Sequence, residues 1–122
     1  MSNLQKYIDL IKHNYNKGEN LYYIIQTTTN DKNTALKISK ILVKEKISAC
    51  AQIVENVIST YRWNENIEFQ NEYILQIKCK KLNLKKIINI ITENHNYDVP
   101  EIIYFSMGIA NEKYKIWLDK NC

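Results

Sequence analysis

Two long strand patterns occupy residues 48–80, a stretch without glycine or proline. In the second pattern apolar and polar side chains alternate, and the apolar ones are Ile67, Phe69, Tyr73, Leu75, Ile77 and Cys79. Alternation with a period of two predicts a half-buried strand. A strand from Ile67 to Lys80 would be about 45 Å long, whereas a compact chain of 122 residues is about 35 Å across. The hairpin tip must therefore project, bend or pair with another copy. Because exposed strand edges recruit partners, we expect an oligomer.

The rest of the chain supplies helix and strand patterns in an order typical of one fold. The predicted elements are a helix at 4–15 carrying Leu4, Tyr7, Ile8, Ile11 and Tyr15, a strand at 21–29, a helix capped by Asn30 or Asp31 and ending near Lys46, hairpin strands at 48–63 and 67–80, a helix at 83–94, a strand at 101–107 and a short last helix with Tyr114, Trp117 and Leu118. Split βαβ units in this order form a ferredoxin-like α+β sandwich, βαββαβ, with four antiparallel strands and both helices on one face. We therefore predict an N-terminal helical extension at 1–20 and one domain at 21–122 that ends in a helix.

Composition narrows the class of protein. The net charge of +4 comes almost wholly from lysine, with Arg62 as the only arginine, whereas nucleic-acid binders favour arginine for bidentate contacts. No apolar run reaches the roughly 18 residues that span a bilayer, and the first residues lack a secretion signal. Three cysteines without a disulfide framework fit a reducing compartment. We expect a cytoplasmic protein that binds neither nucleic acid nor membrane.

Enzyme signatures are missing from the sequence. It contains no nucleophile elbow, P-loop, dinucleotide-binding glycine pattern or paired-histidine zinc motif, and its two glycines leave little for a phosphate-cradling loop. The glycine- and aromatic-rich signature of RNA-recognition domains is absent from the third strand. We therefore expect a protein that is not an enzyme and requires no cofactor.

Cys50 and Cys79 are the first candidate site. A hairpin that turns at Asn64–Glu65 would place the two residues opposite each other, and two thiolates suit Cu(I). The apolar doublets Ile53–Val54 and Val57–Ile58 break the alternation of the first strand. A bulge there would shift the register by one residue and turn one thiol away. The alternative interpretation is that both cysteines are small buried hydrophobes.

His95 and Glu101 are the second candidate site. His95 lies in the last turn of a predicted helix and is followed by Tyr97, Asp98 and Glu101. Imidazole and carboxylate ligands together suit Cu(II) or Zn(II). The alternative is a capping histidine that anchors the loop before Pro100.

Side chains of the hairpin form a third candidate site. Tyr61 and Trp63 lie at the predicted tip, where exposed aromatic residues indicate either docking onto an adjacent subunit or stacking against a ligand. Glu72 and Lys78 share the polar face of the second strand. They are either a solvated pair or, together with Tyr61, Trp63 and Tyr97, the lining of an intersubunit cleft.

Several segments together resemble the CutA family of divalent-cation-tolerance proteins. They are ISACAQI at 47–53, STYRW at 59–63, EYILQIK at 72–78, HNYDVPEII at 95–103 and NEKYKIWL at 111–118. The family usually has glycine after the tip tryptophan, where this chain reads Asn64–Glu65–Asn66. Since asparagine tolerates positive φ, Asn64 or Asn66 is expected to form the turn. The first 20 residues lie outside the resemblance.

The resemblance implies a function that the residues alone do not. It implies a ferredoxin-like homotrimer joined through its long strands, and a role in binding or tolerating divalent metals, copper foremost. Cys50, Cys79, His95 and Glu101 are then the candidate metal ligands. The alternative is a non-enzymatic small-molecule-sensing or scaffold trimer, analogous in fold to nitrogen-regulatory signal proteins, with its ligands in the intersubunit clefts.

Overall fold

The computed structural model describes residues 2–6, 8–9 and 21–122. Its elements, in chain order, are β1 (Tyr22–Thr29), α1 (Lys32–Lys44), β2 (Cys50–Trp63), β3 (Asn66–Lys80), a 3₁₀ turn (Lys81–Asn83), α2 (Leu84–Asn94), β4 (Ile102–Ser106) and α3 (Glu112–Asn121). The strands form one sheet in the order β2-β3-β1-β4, and each pair is antiparallel. The predicted ferredoxin-like α+β fold is confirmed.

The predicted N-terminal helix is only partly described. Residues 3–6 and 8–9 are helical, and the backbone N–H of Gln5 donates to Ser2 Oγ at 3.1 Å. Leu4 is exposed. Tyr7, Ile11 and Tyr15 lie outside the described residues, and with them most of the predicted apolar face.

The core lies between the sheet and the two helices α1 and α2. Its buried members are Ile25, Ile38, Leu42, Ile47, Leu75, Ile77, Cys79, Ile87 and Ile91. Alternate residues of β1 and β3 supply one layer, because successive side chains of a strand point to opposite faces. The helices supply the other layer from positions three and four residues apart, which lie on one face of a helix. Cys79 thus packs as part of the core.

The hairpin turns and bends without glycine. Asn64 and Glu65 have φ angles of 49° and 67°, the two positive values that a type I′ turn requires. Of the two asparagines considered for the turn, Asn64 forms it, and the hairpin turns at Asn64–Glu65 as predicted. Farther from the tip, Asn56 of β2 has a φ of 60°. The pairing register between β2 and β3 shifts there, between Val54 and Val57, which is a β-bulge.

The bulge decides which residue faces Cys50. With the register shifted by one, Cys50 lies opposite Lys78 and not opposite Cys79. The prediction of two facing thiols is therefore wrong, and the bulged alternative is confirmed. The physical reason is that one extra residue in β2 exchanges the faces of every side chain below the bulge relative to β3.

Helix α3 covers part of the sheet face that α1 and α2 leave open. Tyr22 Oη donates to Asp119 Oδ1 at 2.8 Å, and Lys80 Nζ donates to the carbonyl of Asp119 at 3.0 Å. Both residues alternate with the core positions of their strands, so they lie on the opposite face. Burial, together with the bond to Asp119, raises the pKa of Tyr22 to about 12. None of the helices in the described ranges is long and apolar enough to cross a membrane.

Candidate functional site

An open cleft of about 890 Å³ lies between the hairpin and the loop that follows α2. The hairpin contributes Tyr61, Trp63 and Glu72, and the loop contributes Tyr97, Asp98 and Glu101. Glu72 of the hairpin and Tyr97 of the loop are 25 positions apart in the chain, and the pairing of both β3 and β4 with β1 brings the two segments together. Five of the predicted site residues therefore share one cleft.

A buried carboxylate lies at one wall of this cleft. Glu72 is 7% exposed, and Tyr97 Oη donates to its Oε2 at 2.7 Å. The pKa of Tyr97 is raised, first by burial and then by this hydrogen bond and the nearby negative charge. The phenol therefore stays protonated and acts as a hydrogen-bond donor to Glu72.

His95 orients the loop that carries Tyr97. Its Nδ1 accepts a hydrogen bond from the backbone N–H of Tyr97 at 3.0 Å, so this nitrogen carries no proton. Nε2 then donates to the carbonyl of Thr28 at 2.9 Å. Burial lowers the pKa of His95, against the opposing effects of the Thr28 bond and the Glu72 charge. With both nitrogens engaged, this geometry favours the loop-anchoring interpretation of His95.

The cysteines are separated by the sheet. Cys79 is buried in the core, and burial raises the pKa of its thiol to about 12. Cys50 is half-buried and lies opposite Lys78, so it is on the other face from Cys79. Over residues 2–6, 8–9 and 21–122, no three His, Cys, Asp or Glu side chains lie close enough to hold a metal ion.

Lys78 belongs to a different part of the same face. Its Nζ lies 5.7 Å from the centroid of the Tyr114 ring on α3, within the range of a cation–π contact. Glu72 lies six residues away along β3, about 20 Å at the rise of a strand. The proposed pairing of Lys78 with the cleft residues is therefore absent from a single chain.

Comparison with known proteins decides the family. The sequence profile of the CutA1 divalent ion tolerance protein family matches residues 23–121. The chain belongs to this family. The "Divalent-cation tolerance protein CutA" of Thermus thermophilus is 31% identical over 98 residues, which are 80% of this chain and 95% of that protein.

Two further CutA proteins are similar to most of this chain, one in sequence and one in structure. "Protein CutA, chloroplastic" of Arabidopsis thaliana is 30% identical over 95 residues, 78% of this chain but only 52% of the plant protein. The chain thus spans about half the length of that relative. The crystal structure of CutA1 from a psychrotrophic Shewanella superposes with a TM-score of 0.80 at 33% identity, covering 84% of this chain and 96% of that one.

Two residues that hold the walls of the cleft in place were not among the predicted site residues. Gln70 accepts a hydrogen bond from Tyr61 Oη at 2.9 Å through its Oε1, which orients the tyrosine ring. Asn96 accepts from Thr29 Oγ1 at 2.5 Å and fixes the loop to β1. The alternating pattern marks Gln70 only as a polar position, and its partner Tyr61 is apparent only once the strands are paired.

The hairpin tip presents large apolar side chains to solvent in one protomer. The exposed fractions are 69% for Ile58, 57% for Trp63, 60% for Ile67 and 71% for Phe69. β2 is an edge strand of the sheet, as is β4, so its outer backbone groups have no strand partner within the described residues. A large apolar patch beside a free edge is typical of a protein interface.

Proposed function

We propose that the protein is a homotrimer that takes part in tolerance of divalent metal ions, with copper as the first candidate. Membership of the CutA1 family supports the general role. The observation that carries the assembly is the hairpin itself, which combines a 14-residue edge strand with the exposed apolar tip. Pairing of hairpins between subunits would bury that tip and complete the edge.

Metal binding, in this proposal, needs more than one subunit. The described residues of one chain supply no cluster of three donors. Of the four predicted ligands, Glu101 opens onto the cleft, where Asp98 offers a second carboxylate, while Cys79 is buried and His95 is engaged. Carboxylate oxygens from neighbouring clefts, with Cys50 as an additional half-buried donor, are the candidate ligands.

Light scattering and calorimetry test this proposal together. We expect a mass three times the 14.5 kDa of one chain and heat on titration of the reduced protein with Cu²⁺ or Zn²⁺. Glu101→Gln should weaken the metal titration, and Glu112→Gln, an exposed acid on α3, should not. A monomeric mass would contradict the proposed trimer. A metal titration without heat would contradict the proposed metal binding.

A second candidate function rests on the size of the cleft. Its volume of about 890 Å³ lies in the range of about 300–1,000 Å³ that small-molecule sites occupy, and it greatly exceeds what a metal ion fills. This supports a small-molecule-sensing trimer with its ligands in clefts beside the subunit contacts.

In either role we propose a binding protein without catalytic activity. We also propose that it is located in the cytoplasm, because its three cysteines are free thiols.

A further inference from the structure

The charge of Glu72 has no counter-ion in the part of the chain that the structure describes. Only 7% of the surface of Glu72 is exposed. Its side-chain hydrogen-bond partner among the described residues is the neutral hydroxyl of Tyr97. Tyr97 donates to Oε2, and none of the described residues donates to Oε1. The ion pair found among these residues is Lys32–Glu55, on exposed side chains. Oε1 is not among the enclosed unpartnered atoms of the described residues, so it is accessible to a cation in the cleft.

The rest of the cleft strengthens the preference for a cation. Asp98 and Glu101 add two carboxylates to its lining, and no lysine or arginine is among the described residues that line it. An anionic ligand would therefore meet three negative charges. A metal ion is also a poor occupant in one chain, because no three donor side chains converge among the residues that the structure describes.

Aromatic rings cover the other side of the same cleft. Tyr61, Trp63 and Tyr97 all line it, and aromatic faces attract organic cations through their negative quadrupole. Two of the rings are held in place, Tyr61 by Gln70 at 2.9 Å and Tyr97 by Glu72 at 2.7 Å. A ligand with a charged head and a carbon body would use the carboxylate and the rings together.

We propose that the cleft binds a small organic ammonium cation, with the charged nitrogen at Glu72 and the carbon body against the rings of Tyr61 and Tyr97. The inference rests on the second candidate function, ligand sensing in the clefts, and names its ligand class. His95 is a positioning residue in this site, since its bonds to Thr28 and to the Tyr97 backbone hold the loop that orients Tyr97 against Glu72.

Calorimetry with a matched pair of probes tests the proposal. The wild-type protein is titrated with phenethylammonium chloride and with phenethyl alcohol, which has the same carbon body and no charge, in a buffer that contains a chelator. We expect the ammonium to bind at least about tenfold more tightly, as hydrogen bonds to charged groups imply. Equal affinities, or tighter binding of the alcohol, would overturn the proposal.

A variant pair locates the effect. Glu72→Gln keeps the shape of the side chain and removes its charge, and should weaken ammonium binding by about tenfold. Glu68→Gln is the matched control, because Glu68 lies on the same face of β3 but outside the cleft lining. Equal loss in both variants would overturn the assignment to Glu72. The wild-type probe comparison does not depend on the variants folding.

The same experiment separates this inference from ligand sensing in general. If the alcohol binds in the cleft as well as the ammonium does, a small-molecule site exists and only the cationic class is wrong. If neither probe binds, and a panel of neutral and anionic metabolites also gives no heat, the sensing function itself fails.

Discussion

Replacing Trp63 with alanine tests whether the hairpin tip joins the subunits. Trp63 is 57% exposed in one protomer. A tryptophan side chain contributes up to about 250 Å², so about 140 Å² of Trp63 is available to a neighbouring subunit. At roughly 25 cal/mol per Å², its burial would stabilise each interface by about 3.5 kcal/mol. Three identical interfaces would then lose about 10 kcal/mol in Trp63→Ala, an upper estimate because the tip need not be wholly covered.

The assay measures the mass of the assembly as a function of protein concentration, and thermal unfolding is measured on the same samples. We expect Trp63→Ala to dissociate at protein concentrations where the wild type remains trimeric, because a loss of that size shifts the association equilibrium strongly. Its melting temperature should fall and should depend more steeply on concentration. Leu82→Ala is the control, since Leu82 is 79% exposed and lies in the 3₁₀ turn after β3.

One result would refute the reasoning about the tip. If Trp63→Ala keeps the mass and melting temperature of the wild type over the whole concentration range, the tryptophan is not a subunit anchor. Its position in the cleft lining would then make ligand stacking the better interpretation. A loss of similar size in Leu82→Ala would show that the effect is not specific to the hairpin.

Three substitutions and one pH dependence test the local structure. Glu65→Gly should raise the free energy of unfolding by roughly 0.5–1 kcal/mol, because Glu65 has a φ of 67° that costs an L-residue about 1–2 kcal/mol and the entropy of glycine offsets part of the gain. Thr27→Val should stabilise by about 1 kcal/mol, since the buried Thr27 Oγ1 has no hydrogen-bond partner in the described residues and valine is similar in shape. Thr29→Val should instead destabilise by about 1 kcal/mol, because Thr29 Oγ1 donates to Asn96. His95 should make stability fall as pH falls below about 6.5, its unfolded pKa, because burial lowers its folded pKa and the unfolded state then binds more protons.

Urea unfolding measures the three substitutions and the pH dependence. Destabilisation of Glu65→Gly would contradict the type I′ geometry of the tip, and equal effects of the two valine variants would contradict the assigned bond of Thr29. For His95, the stabilities of the wild type and of His95→Gln are compared between pH 7.5 and 5.5. This range lies on both sides of the ordinary histidine pKa of about 6.5. The histidine hypothesis requires a shallower decline in the variant, and parallel curves would exclude it.

Pattern and order along the chain determine much of the fold. The alternation from Ile67 to Cys79, interrupted only at Asn71 and Ile74, predicts β3 within a residue of its observed bounds, Asn66–Lys80. The Asp31 cap and the apolar spacing of Ala35, Ile38 and Leu42 likewise predict α1. These signals are local, because a strand or helix places its side chains at fixed intervals. Once the elements are ordered βαββαβ, short right-handed connections leave few topologies.

The tertiary structure alone decides the register and the cleft. The doublets around Val54 and Val57 indicate a bulge, but only strand pairing establishes that Cys50 meets Lys78. In the same way Glu72 and Tyr97 meet although they are 25 positions apart in the chain. Such contacts depend on how whole elements pack and on single-residue shifts between strands. A one-residue shift reverses the faces of a strand without changing its local pattern, so the sequence specifies the strands more clearly than it specifies what lies opposite each side chain.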